Sequence, residues 1–299
     1  MFKRILLTLD GSEVSEIVLP YGEELAGKLG SEVILYHVRG HEHLQQEHMH
    51  QMYLDRLAET VRSNIKKGRP KGTEVRVTAK VEAGEPAESI CNLVDTNKVD
   101  LIIMASVSTA GLKVGKMLGS VTDQVCRTVP IPVMLIRPQN IKQTGKKRRL
   151  VNHILIPLDG SELSKLALPI GEELATKLKV RTTLFRMATM IRIYDDGSGY
   201  TAYVDYTTLN EDEKRRVTDE MIALKKELKE RGLKVTHLVT SGFDAANEII
   251  EVSKKIDADL VVMSTHGQSG LGRWVFGSVA EKVLRHGETP LLLVHARVR

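Results

Sequence analysis

The chain has 299 residues, 42% of them hydrophobic, with two cysteines and a formal net charge of +5. That is apolar material for one or two cored domains; no apolar run reaches the ~18 residues that span a bilayer, and Cys91 and Cys126, both in apolar helical patterns, make no disulfide framework. The positive charge does not mark a nucleic-acid face: residues 1–141 carry 17 basic and 17 acidic side chains, residues 151–299 carry 21 and 21, and the surplus is Lys142, Lys146, Lys147, Arg148 and Arg149, which read as a solvated linker.

In chain order, the apolar run at Ile5–Leu9 is too short and too soon interrupted for a signal peptide. It reads as a first strand, and a cytoplasmic protein with no membrane insertion is expected. A helix follows Ser12 and stops at Gly30, a left-handed cap position; Pro20 inside it should kink it or shift its start. Further strands are expected near residues 32–38, 74–81, 99–105 and 132–137, and helices near 42–68, 86–97 and 119–128. Gly22-x4-Gly27-Lys28 mimics a phosphate loop, but Leu29 stands where Ser or Thr is needed and the stretch lies in a helical pattern, so no site is assigned. His37, His41, His43, His48 and His50 crowd one stretch. His-x-His pairs suit a metal, but no cysteine accompanies them and a polar helix start is the preferred reading; no metal site is assigned.

The second half repeats the first. Ile5–Glu13 is answered by Ile154–Glu162 and Leu19–Ala26 by Leu168–Ala175, at one offset of 149 residues (159 − 10). Val99–Met104 is answered by Ala258–Met263, Gly119-Ser120-Val121 by Gly277-Ser278-Val279, and Pro132–Ile136 by Pro290–Val294. Two copies of one unit are expected, at residues 1–138 and 151–299, with 139–150 as linker. Strands alternating with helices imply an α/β fold of two tandem open five-stranded parallel sheets, helices on both faces. Ligands then bind beyond the carboxyl ends of the strands. The matching insert of the second copy, near Tyr194–Tyr203, reads as an exposed loop.

Leu260–Met263, the loop to Phe276 and the helical pattern from Gly277 read as strand, glycine-rich loop and helix start. Backbone N–H groups at such a helix start favour a phosphate. The spacing Ser264-x2-Gly267-x9-Gly277-Ser278 resembles the nucleotide-binding loop of the universal stress protein family, usually Gly-x2-Gly-x9-Gly-Ser/Thr, with Ser264 in place of the first glycine. With the strand-end Asp159, the Met ending the fourth strand and the Pro-led fifth strand, nearly the full chain looks like a tandem member. The resemblance implies strand order 3-2-1-4-5, ATP or another adenine nucleotide as ligand (with Mg as a companion), Asp159 at the ribose or adenine and the Met187 backbone at the adenine edge. It implies phosphate contacts at Gly267, Gly277 and Ser278, within a site that also includes Pro157, Leu158, Met263, Ser264, His266 and Val279. His266 reads equally as a phosphate donor or as a plain loop residue. Asp10, Val38, Gly119 and Ser120 are the counterparts in the first copy. There the loop has Ser108 in place of Gly267 and one residue more before Gly119, so weaker binding is expected.

No nucleophile–base–orienter set is visible, and no catalytic residue is assigned. The reading is a stress-response sensor or regulator that binds nucleotide. The rivals are a slow ATPase or nucleotidyl-transfer enzyme on the same fold, and a scaffold that binds none. Fifth-strand pairing within the chain is expected from the apolar edges of Val133–Ile136 and Leu291–Val294; a homodimer and an unidentified protein partner stay open.

Overall fold

The computed structural model describes residues 2–40, 47–67, 74–107, 118–138, 149–190, 206–267 and 276–295. The first half runs β1 (Arg4–Leu9), a 3-10 turn (Ser15–Ile17), α1 (Val18–Leu29), β2 (Glu32–Arg39), α2 (Glu47–Lys67), β3 (Val77–Ala83), α3 (Pro86–Asn97), β4 (Leu101–Ala105), α4 (Ser120–Thr128) and β5 (Val133–Ile136). The second runs β6 (His153–Pro157), α5 (Glu162–Lys165), α6 (Ala167–Leu178), β7 (Arg181–Thr189), α7 (Tyr206–Glu230), β8 (Val235–Gly242), α8 (Ala245–Lys255), β9 (Leu260–Ser264), α9 (Ser278–His286) and β10 (Leu291–Val294). The insert near Tyr194–Tyr203, the basic run Lys142–Arg148, His41, His43 and Ser108 lie outside the described residues.

Pro20 shifts the helix start rather than kinking the helix. It is the third residue of α1, where its missing N–H would have had no intrahelical partner. The preceding residues take the tighter 3-10 turn instead. Pro169 stands likewise at the third position of α6, separated from the short α5 by Leu166. Gly30 ends α1 in the left-handed region at φ 79°. β3 begins at Val77 rather than near residue 74, because its pairing with β2 runs from Val33↔Val77 to Arg39↔Ala83.

Within each half the strands are parallel in the order 3-2-1-4-5, as expected. The two sheets are nevertheless one: β5 and β10 pair antiparallel, Val133↔Leu293 and Leu135↔Leu291, giving β3-β2-β1-β4-β5-β10-β9-β6-β7-β8. β5 and β10 are buried along their whole length, so this junction removes the two apolar edges that would otherwise invite association. Two apolar layers cover the sheet, one under α1, α2, α6 and α7, the other under α3, α4, α8 and α9. Gly22 of the phosphate-loop mimic serves the first layer: a Cβ there would come within 2.5 Å of Leu7. Gly171 stands equally close to Ile156. These glycines let a helix lie close on a strand.

Candidate functional site

Strand order 3-2-1-4-5 leaves a crevice beyond the carboxyl ends of the first and fourth strands, where the connections part to opposite faces of the sheet. In the second half Asp159, Pro157, Leu158, Met187, Met263, Ser264, His266, Gly267, Gly277, Ser278 and Val279 all line one cavity there, of about 560 Å³. In the first half Asp10, Val38, Gly119 and Ser120 line the equivalent cavity, which is only about 170 Å³.

Asp159 does two things. Its Oδ1 accepts from the Ser161 N–H at 2.9 Å and the Ser161 hydroxyl at 2.6 Å, closing the turn that starts α5. Its Oδ2 faces Gly267, where a Cβ would stand only 2.1 Å from that oxygen. Gly267 is thus required for the glycine loop to reach the carboxylate. Asp10 binds Ser12 in the same way, at 2.9 and 2.5 Å.

Gly277 has a different reason. Its φ of −63° and ψ of 148° suit any residue, and among the described residues a Cβ would meet nothing closer than the Thr265 carbonyl at 3.5 Å. Its own N–H is already given to that carbonyl at 2.9 Å. The donors left at the helix start are therefore those of Ser278 and the residues after it, not of Gly277 itself. α9 has no side-chain cap, so first-turn N–H groups stand at the positive end of the helix dipole without one. A Cβ at Gly277 would make only ordinary contacts with Thr265, His266 and Gly267, which line the same cavity. His266 is held on the cavity wall by Thr265, whose Oγ1 lies 3.0 Å from His266 Nδ1. Ser264, in place of a glycine, accepts from the His266 N–H at 3.4 Å.

Sequence reasoning missed a charged wall of this cavity. Arg186 on β7 is 7% exposed and pairs with Glu220 of α7. It lies directly beneath Gly160, at φ +87°, where a Cβ would come within 2.5 Å of the guanidinium. Arg216 of α7 binds Glu213 at 2.7 and 2.9 Å and holds that carboxyl below the usual range. The first copy has His37 where Arg186 stands, so the repeat gave no signal for it. That histidine stacks on His50 with ring centroids 4.6 Å apart and places Nδ1 2.9 Å from the Leu9 carbonyl. Among the described residues no three His, Cys, Asp or Glu side chains gather as metal ligands, and no helix is long and apolar enough to cross a membrane.

Fold and site together define a tandem doubly wound α/β protein, with a strand-end carboxylate opposite a glycine-led helix start in each half. The Universal stress protein family matches residues 1–137 and 151–295. The chain belongs to that family. Universal stress protein MJ0531 of Methanocaldococcus jannaschii is 32% identical over 149 residues, 48% of this chain and 82% of that protein. Universal stress protein Rv2623 of Mycobacterium tuberculosis is 23% identical over 250 residues, 83% of this chain and 77% of that one, so it spans both halves. Two solved structures share the fold over almost the whole chain. A universal stress protein from Archaeoglobus fulgidus has TM-score 0.66 and 19% identity, covering 99% of each chain. A protein of unknown function from Pseudomonas aeruginosa has TM-score 0.70 and 18% identity, covering 98% of this chain and 92% of that one.

Proposed function

We propose that the second half binds ATP or a related adenine nucleotide and that the chain acts as a stress-response sensor or regulator whose partner contacts depend on the bound nucleotide. The observation that carries this reading is at Gly277: among the described residues no contact requires a glycine there, while an uncapped helix start lines the same cavity. The cavity's size is in the range of small-molecule sites. Asp159 lines it beside Gly267, suited to ribose hydroxyls. Family membership and the loop spacing support the adenine base. Mg²⁺ would enter with the polyphosphate.

Nucleotide-free protein titrated calorimetrically with ATP tests the reading. Saturable heat that disappears in Gly277→Val supports it. A chain that takes up no nucleotide, and copurifies with none, acts instead as a scaffold. Hydrolysis faster than about one turnover per second would make it an enzyme.

A further inference from the structure

The first half reaches behind the second half's cavity. Phe276 immediately precedes the Gly277–Ser278 helix start, is buried, and lies outside the cavity lining. Arg127, on α4 of the other half, holds its guanidinium carbon 5.0 Å from the Phe276 ring centroid. That guanidinium is fixed from two sides: Nη2 donates to both Glu281 oxygens on α9 at 2.9 Å, and Nε and Nη2 donate to Asp123 on its own helix at 3.0–3.2 Å. A planar cation so held is suited to lie on an aromatic face. His295 tilts against the same ring at 6.5 Å, its nitrogens 2.7 Å from the Cys126 carbonyl and 2.9 Å from the Ile131 carbonyl of the first half.

The brace runs one way. Arg285, which answers Arg127 in the repeat, shares the same two carboxylates, Glu281 at 2.6 Å and Asp123 at 3.7 Å. The residue before Gly119, however, is Leu118, which has no ring for a cation to lie on.

We propose that Arg127 is a positioning residue for the nucleotide site of the other half, holding Phe276 so that the N–H groups of Ser278 and Val279 stay aimed into the cavity. This rests on the nucleotide reading above. It makes the half with the smaller cavity a structural part of the larger site.

Hydrogen–deuterium exchange on the full chain, with ATP titration of the same samples, tests the proposal. In Arg127→Ala the Gly277 amide, hydrogen-bonded to the Thr265 carbonyl, exchanges faster and ATP affinity falls about three- to tenfold. Arg127→Lys, which keeps charge but not the planar face, restores part of both. Phe276→Leu, copying Leu118, reproduces the loss, and adding Arg127→Ala to it costs little more. Arg285→Ala leaves exchange at Gly277 and ATP affinity unchanged. Unchanged exchange in Arg127→Ala, an equal effect from Arg285→Ala, or faster exchange with unaltered ATP affinity overturns the proposal. Failure of the unaltered chain to bind ATP sinks the nucleotide reading, while the exchange data still decide whether Arg127 braces the turn.

Discussion

Arg137 and His295 reach across the junction to the same place on opposite halves. Each is the first residue after the fifth strand of its own half. Arg137 Nη2 donates to the Leu284 carbonyl near the end of α9 at 2.6 Å, and His295 Nε2 lies 2.7 Å from the Cys126 carbonyl near the end of α4. Leu284 and Cys126 answer each other in the repeat, so the contact is reciprocal, as an isologous interface requires. A cation is favoured where the helix dipole is negative. Burial lowers the Arg137 guanidinium to about 10, which leaves it charged at neutral pH.

The junction is therefore expected to be a major source of stability. Arg137→Met leaves the Leu284 carbonyl without that donor and should cost about 1–3 kcal/mol. Urea unfolding of the whole chain measures it, and an unchanged midpoint would show that the contact is dispensable.

Gly267 and Gly277 should fail differently. Gly267→Ala drives a Cβ into Asp159, so it should lower stability by about 1–3 kcal/mol and weaken ATP binding together. Gly277→Ala meets only ordinary contacts. It should unfold within about 1 kcal/mol of the original protein yet bind ATP at least about tenfold more weakly. Thermal melts beside calorimetric titrations separate the two. Full ATP affinity in Gly277→Ala would remove the main support for a phosphate at that place.

One nucleotide per chain is expected. The cavity beside Asp10 is about 170 Å³ against about 560 Å³ beside Asp159, below the usual range for small-molecule sites. Calorimetric stoichiometry near one, lost in Gly277→Val and kept in Gly119→Val, is the predicted result. Two sites of equal affinity would contradict it.

Stability should decline on mild acidification. Burial, with Arg181 nearby, pushes the His153 pKa below the ordinary histidine value. Its ring lies 2.8 Å from the Thr183 hydroxyl and 3.1 Å from the Ile256 carbonyl. The unfolded chain then takes up its proton first, near pH ~6.5. His153's contribution is complete above that pH and is lost as pH falls toward the lower folded value. Melting temperatures from pH 8 to pH 5 should fall through this window, with a shallower slope in His153→Gln. An identical slope in both proteins would assign the effect elsewhere.

The repeat and the α/β class were legible in the sequence, because duplicated motifs and strand–helix alternation are local and periodic signals; the strand order within each half followed only from the family resemblance. That Asp159, Gly267 and Gly277–Ser278 could line one crevice was legible in the glycine spacing of the second copy and in the strand-end carboxylate. The merging of the two sheets through Val133–Ile136 and Leu291–Val294, and the harmless place of Pro20 in a first turn, became visible only in the folded chain. The tertiary structure alone decided that a side chain at Gly267 would collide with the Asp159 carboxylate while one at Gly277 would make only ordinary contacts. It also revealed Arg186 beneath Gly160 and Arg127 on Phe276, contacts between residues far apart in sequence with no shared motif. Local pattern says which residues can line a crevice. How wide it stands, and what braces it from behind, depends on how the halves pack.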